Sequence, residues 1–165
     1  MNKQMDLLQP TQAAEPAVAA MDAISLWQPY ASLIACKAKR FETRHWRAPE
    51  KFIGQRIAIH AAARKPTRAE VDELLDEVGQ AFGFSHWHER IPYGAVVCTA
   101  RLVGAFQVRR CGVVTVELSD GRTILDDGFG DYSPGRWCWE LADVETFAPI
   151  AAKGAQGWWR WAGAA

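Results

Sequence analysis

The chain has 165 residues, of which 49% are hydrophobic and 23% charged, proportions typical of one globular domain with a real core. Its 19 basic and 19 acidic side chains balance, which argues against a protein that binds polyanions by charge alone. No apolar run reaches the ~18 residues of a membrane span, and the first residues lack the apolar centre of a signal peptide, so we expect a cytoplasmic protein.

The first part of the chain is predicted to be a flexible tail over residues 1–20, because it shows little periodicity. A single domain is expected over residues 21–165. It begins as strand, helix, strand and strand, and the predicted bounds are 23–27, 29–38, 41–46 and 54–62. Proline at position 29 suits the first turn of a helix, where its missing N–H costs nothing.

A capping box marks the next helix, since Thr67 is followed three positions later by Glu70. Apolar residues at helical spacing over 71–78 complete the signal, with acidic residues on the other side. We interpret this helix as a packing element without a chemical role.

The rest of the chain is mostly strand. Residues 83–92 are predicted to be a loop, and the following long strand is expected to bend at Gly104, where glycine permits a bulge. The predicted strands are 94–108, 113–118, 122–125 and 136–147, before a tail that ends in three tryptophans. About six strands with two solid helices do not alternate as in a doubly wound fold, so the sequence predicts an α+β fold, a small bent β-barrel with peripheral helices.

Charged residues are unevenly distributed along the chain. Residues 37–68 contain ten Lys or Arg against two acids, whereas residues 69–89 contain six acids and no Lys or Arg. The basic block is a candidate phosphate-binding surface, and the acidic block is a candidate solvent-exposed helix face. Alternatively, folding mixes these charges over the surface.

Aromatic and charged residues meet between positions 27 and 46. Most of the eight tryptophans are expected to fill the core, but Trp27 and Trp46 bracket a charged run and are candidates for stacking on a base. A strand here points Glu42 and Arg44 to the same face. Lys39 with Glu42 forms either a surface ion pair of ~0–1 kcal/mol or a catalytic pair in which the carboxylate positions a lysine base or nucleophile.

Two further stretches carry candidate ligands. The loop over 131–136 offers the Ser133 hydroxyl, the Arg136 guanidinium and backbone amides, a pattern that predicts a phosphate-binding site. His86 and His88 lack a nearby third ligand, so we expect neither a metal nor a cofactor.

Taken together, these segments resemble the ASCH (activating signal cointegrator homology) family, a branch of the PUA-like superfamily. The matching stretches include Trp-Gln-Pro-Tyr-Ala-Ser-Leu, then Lys-x-x-Glu-x-Arg, and they occupy residues 26–34, 39–46, 57–62, 93–97, 130–136 and 156–158. The resemblance implies a PUA-like β-barrel with peripheral α-helices, and a cleft between barrel and helices lined by the motif residues.

The family resemblance implies binding of single-stranded RNA or a modified nucleoside in that cleft. The candidate binding residues are Trp27, Gln28, Tyr30, Lys39, Glu42, Arg44, Trp46, His60, Ser133 and Arg136. No membrane is expected, and no partner protein is inferred.

The alternative is a hydrolase acting on RNA or on N4-acylcytidine, with Lys39 and Glu42 as its catalytic residues. Amidohydrolase members of the family use a lysine, a threonine and a glutamate. Lys39 matches the lysine, but Glu42 stands in place of the threonine and a hydrophobic residue near Val97 in place of the glutamate.

Overall fold

The computed structural model describes residues 18–164 and shows a sheet-dominated α+β fold. Its strands and helices within this range are, in chain order, β1 Met21–Leu26, α1 Tyr30–Ala35, β2 Phe41–Arg44, β3 Arg56–Ala61, α2 Arg68–Glu73, α3 Leu75–Phe82, α4 Trp87–Arg90, β4 Ala95–Cys111, β5 Thr115–Leu118, β6 Thr123–Leu125, β7 Trp137–Ala151 and β8 Trp158–Trp161. A short 3-10 helix spans Glu50–Phe52. No helix in this part of the chain is long and apolar enough to cross a membrane.

The strands form one mixed sheet in the order β2-β7-β4-β3-β1-β8, and β5 and β6 extend it from β4. Only β1 and β3 run parallel among the paired strands of residues 18–164, and α1 and β2 lie on the connection between them. The strand order is an open path, because β2 and β8 at its two ends do not pair with each other. The predicted α+β class is therefore confirmed, whereas closure of the sheet into a barrel is not.

The core lies between the sheet and α1. Leu33 and Ile34 of this helix are fully buried, as are Ile57 and Ile59 of β3, the predicted central strand. Each such side chain contributes about 1.5–3 kcal/mol by leaving water. This packing fixes the turn between β1 and α1, which carries Trp27 and Gln28.

The helices after β3 differ from the sequence prediction. The single helix expected after Thr67 is two helices that meet at Leu74, although its capping box is present as predicted. The predicted loop over residues 83–92 contains α4. Its Trp87 is fully buried in an apolar cluster with Leu33 and Val78. Because histidines flank Trp87, this stretch has the sequence pattern of a polar loop.

The long strands extend further than predicted. β4 has 17 residues and β7 has 15. The pairing between them shifts register between Leu102 and Gly104, so the irregularity predicted at this glycine is confirmed. A side chain at position 104 would overlap the Phe106 ring, and glycine is therefore required there by close packing.

The residues interpreted as a tryptophan-rich tail form strand β8 instead. It pairs antiparallel with β1, with Met21 opposite Trp161 and Ile24 opposite Trp158. The Trp158 ring stacks on Phe52 at 3.8 Å between centroids. These indoles provide core surface, which explains why a terminal segment is ordered into the sheet.

Most of the predicted flexible tail lies outside the described residues. Of its last three positions, Val18 forms a β-bridge with Ala164. The segment from residue 18 onward is thereby attached to the other end of the chain.

Candidate functional site: a cleft beside Trp27

Three adjoining cavities form one cleft beside the β1–α1 turn. The charged cavity, about 410 Å³, is lined among others by Tyr30, Lys39, Glu42, Asp131 and Arg136. The middle cavity, about 270 Å³, shares Tyr30 and Glu42 with it. The large cavity, about 550 Å³, shares further residues with the middle one, namely Ser25, Trp27 and Arg44.

Lys39 is held firmly in the charged cavity. It follows α1, and its residue is only 2% exposed. Its Nζ donates a hydrogen bond of 2.5 Å to the Phe129 carbonyl oxygen and lies 3.8 Å from the Glu42 carboxylate. Both neighbours are acceptors, so the site uses Lys39 as a donor.

Glu42 lies between two cations. Its Oε1 is 3.0 Å from Arg44 Nε, which places both side chains on one face of β2. The Glu42 side chain is 12% exposed, so salt screens this cluster less than it screens an exposed pair. Arg44 also donates a long hydrogen bond, 3.4 Å, to the Ser25 carbonyl, which leaves it at the boundary between the middle and large cavities.

Tyr30 adds a hydroxyl to the charged and middle cavities. Burial raises its pKa, and the nearby carboxylates of Glu42 and Glu73 raise it further. The hydroxyl therefore stays protonated at neutral pH and can donate or accept a hydrogen bond. Glu73 belongs to α2 and lines the charged cavity, so this helix contributes to the site and is not only a packing element.

In the loop over residues 131–136, the polar side chains of Ser133 and Arg136 both contact Asp131. Arg136 lines the charged cavity, where its Nε is 3.3 Å from the Asp131 carboxylate. Ser133 is exposed and its hydroxyl donates to the same carboxylate at 2.5 Å. This hydrogen bond lowers the pKa of Asp131. Ser133 does not line these cavities. The Asp131 carboxylate binds the two side chains that were predicted to bind phosphate.

Trp27 lies just beyond the end of β1 and is 56% exposed. The Arg64 guanidinium lies 4.3 Å from the centre of its ring. Glu70, a member of the capping box of α2, holds that guanidinium through two hydrogen bonds of 2.8 and 2.9 Å. Arg64 thus covers one face of the ring, and no aromatic side chain within residues 18–164 stacks on it, so the exposed part of the indole is open to a ligand.

Gln28 is 3% exposed and its polar atoms have protein partners. Its amide nitrogen donates to Ser32 Oγ at 2.7 Å and to the Pro92 carbonyl at 2.6 Å, while its oxygen accepts from the Ser32 N–H. The side chain ties α1 to the segment before β4. It lines a further cavity of about 320 Å³ with Arg64 and Glu70, which shares Trp27 and Tyr30 with the middle cavity.

Trp46 lies against the core. Its ring packs edge-on to Trp139 at 4.7 Å, and its carbonyl oxygen accepts a 3.2 Å hydrogen bond from Trp139 Nε1. It is not among the residues that line the cavities of the cleft. The two tryptophans that bracket the charged run therefore differ in their surroundings.

His60 forms the floor of the large cavity. Its Nε2 is 3.0 Å from the Ala152 carbonyl, an acceptor, so in the neutral ring this nitrogen carries the hydrogen and Nδ1 accepts from Ser25 Oγ, also at 3.0 Å. Trp159 Nε1 donates to the same hydroxyl at 3.2 Å. Burial lowers the pKa of His60, although its bond to Ala152 opposes this, so the floor is uncharged at neutral pH.

Sequence reasoning missed four contributors to the cleft. Ser25 directly precedes the family-like motif at residues 26–34, but its partner His60 is 35 positions away. Arg64 precedes the helix that was assigned to packing, and Glu73 is the last residue of α2. Gly154 backs the large cavity so closely that a Cβ there would lie 2.7 Å from Ser25 Oγ and overlap the His60 ring. Within residues 18–164, no three His, Cys, Asp or Glu side chains cluster so as to hold a metal ion.

A family model described as the ASCH domain matches residues 24–151. The chain belongs to the ASCH domain family. The matched segment contains the residues of β1, α1 and β2 that line the charged and middle cavities, so these features lie within the ASCH domain itself.

Solved structures of ASCH proteins are similar to this chain. A crystal structure of ASCH from Zymomonas mobilis is 20% identical, with a TM-score of 0.43, and the match covers 79% of this chain and 72% of that one. A point mutant of the same Zymomonas mobilis protein is 22% identical with a TM-score of 0.43, covering 79% and 74% of the two chains. No curated protein matches the sequence significantly.

Proposed function

We propose that this ASCH domain binds single-stranded RNA, or a modified nucleoside, in the cleft beside Trp27. The observation that carries the proposal is an indole 56% exposed that lines the middle and large cavities with Arg44, next to the cavity that contains Lys39. Exposed rings beside cationic side chains are the usual means of holding unpaired bases.

The polar groups of the cleft suit the edge of a base. Glu42 offers carboxylate oxygens that can accept hydrogen bonds from an exocyclic amine, while Tyr30 can donate or accept. Lys39 and Arg44 lie on either side of Glu42 and supply donors for base carbonyl groups or phosphate. Arg136 adds a further cation at the outer side of the charged cavity.

A salt titration tests this proposal. A fluorescently labelled single strand of about ten nucleotides, within the range covered by small binding folds, is titrated with protein by anisotropy at increasing salt. We expect binding that weakens as salt rises, since cationic side chains release counterions from the phosphates. A duplex of the same sequence is the matched control and should bind more weakly, because its bases cannot stack on Trp27. Equal affinity for both, or indifference to salt, contradicts the proposal.

The second candidate function is hydrolysis of RNA or of N4-acylcytidine. One observation favours it, namely that Lys39 lines an open cavity with a carboxylate 3.8 Å from its Nζ. Its bond to the Phe129 carbonyl orients the amine but also engages it as a donor. Incubation with N4-acetylcytidine and with labelled single-stranded RNA, with and without magnesium, distinguishes the two functions. Turnover that disappears in Lys39→Met supports the hydrolase function. If neither substrate is turned over, the hydrolase function is contradicted.

A further inference from the structure

The cleft contains more space than one base occupies, and its two ends differ in chemistry. The large cavity lies beyond the middle one, on the side of His60. The charged cavity is lined by two basic and three acidic side chains, namely Lys39, Arg136, Glu42, Glu73 and Asp131. A ligand confined to the Lys39 end would leave about 550 Å³ of the same cleft unused. Binding of a single nucleoside accounts neither for this unused volume nor for the difference in lining between the two ends.

The floor of the large cavity suits a flat, uncharged group. This floor is the Ser25–His60 pair, and the walls include Ala62, Ala152 and Ala155 together with the polar side chains of Lys153 and Gln156. Both ring nitrogens of His60 are already bonded within the protein. The floor therefore offers little to an anion, and it resembles a surface against which a second base or ribose can lie without unpaired polar atoms.

Arg44 lies where the two regions join. It lines both the middle and the large cavity, and its Nε lies 3.0 Å from Glu42 Oε1, an ion pair without hydrogen-bond geometry. Its Nη2 makes only a 3.4 Å contact with the Ser25 carbonyl. A guanidinium that presents donors between two ring-sized spaces is well placed to contact the phosphate that links two nucleotides.

We propose that the cleft binds two consecutive nucleotides, one base in the charged cavity and the next in the large cavity, with their linking phosphate at Arg44. This inference rests on the proposed function and chooses between its two ligand types, since it assigns an RNA strand and not a free nucleoside. Trp27, which borders the middle and large cavities, then stacks on the second base.

A ligand-length series measured by calorimetry tests the inference. The probes are the nucleoside, the monophosphate, the dinucleotide and the trinucleotide of each of the four bases, at one fixed salt concentration. We expect affinity to rise at least about 5-fold from monophosphate to dinucleotide, the lower end of the effect of one stacked base, and to change little with the third nucleotide. Equal affinity for nucleoside and dinucleotide overturns the inference but leaves nucleoside binding intact. No binding of any probe or of a longer strand overturns both proposals.

A blocking substitution locates the second position. Ala155 is exposed and lines the large cavity, so Ala155→Leu adds bulk there without disturbing the core. We expect the ratio of monophosphate to dinucleotide dissociation constants to fall to about one. The matched control, Ala151→Leu, alters an exposed alanine of β7 that does not line this cavity and should keep the ratio of the unaltered protein. A ratio unchanged in Ala155→Leu contradicts placement of a base in the large cavity.

Discussion

Replacing Trp27 by alanine should weaken RNA binding while leaving the fold nearly unchanged. The indole is 56% exposed, so its removal creates no internal cavity. Its contact with Arg64 contributes about 0.5–1 kcal/mol as an exposed cation–π pair. We therefore expect the free energy of unfolding in urea to fall by about 1 kcal/mol or less.

The effect on binding is expected to be larger. A base stacked on an aromatic side chain contributes about 1–3 kcal/mol, which corresponds to a rise of roughly 5- to 150-fold in the dissociation constant. The assay is fluorescence anisotropy with a labelled single strand, at low salt so that the weakened complex remains measurable. Trp27→Phe keeps an aromatic face and should fall between the alanine variant and the unaltered protein.

Trp46 provides the contrast. It borders the same charged run in the sequence but packs edge-on to Trp139 at 4.7 Å. Trp46→Phe should therefore leave the dissociation constant unchanged. A folded Trp27→Ala that binds RNA as tightly as the unaltered protein would refute the stacking role of Trp27. Loss of binding in Trp46→Phe alone would show that the wrong indole has been assigned.

Three other substitutions test parts of the cleft. Gly154→Ala should destabilise the fold by about 1–3 kcal/mol through overpacking against His60, whereas Gly79→Ala in α3, where the nearest atom is 3.6 Å away, should be neutral or stabilising in urea denaturation. Because burial lowers the pKa of His60 from 6.5, its contribution to stability is present above that pH and is lost as pH falls. The unaltered protein should thus lose more unfolding free energy between about pH 7 and 5 than His60→Gln does, and equal pH dependence would contradict this. Arg44→Met should weaken RNA binding and reduce the salt slope by about one, because Arg44 is placed at a phosphate, unlike Lys51→Met, which alters an exposed lysine of the 3-10 helix.

Local sequence signals predicted most of the fold's individual elements. The capping box at Thr67, the β-branched alternation of β3 and the irregularity at Gly104 are set by neighbouring residues, and each appears in the structure. What could not be predicted is non-local. Strand β8 exists because its indoles pack against β1 and Phe52, and no periodicity within the segment shows that. Helix α4 likewise depends on burial of Trp87 by distant apolar residues.

The residues of the candidate site also divide into those that local sequence predicts and those that it does not. Lys39, Glu42 and Arg44 come from one short stretch, and strand geometry alone is enough to bring the last two together. By contrast, the Ser25–His60 pair joins two parallel strands, and the Trp27–Arg64 contact depends on where α2 begins. From their positions in the sequence, Trp27 and Trp46 were equally good candidates for stacking on a base, although only Trp27 borders the cleft.

The order of charges in the cleft limits how an RNA strand can lie in it. Glu42 is an acceptor flanked by Lys39 and Arg44, so a phosphate placed at its centre would meet a partly buried carboxylate and be repelled. A base edge that carries an amine has the opposite polarity and fits that position. The phosphate must then lie to the side at Arg44, since Arg136 is already paired with Asp131. A cleft that mixes acidic and basic side chains can therefore bind a polyanion, provided that the bases enter it and the backbone lies along its edge.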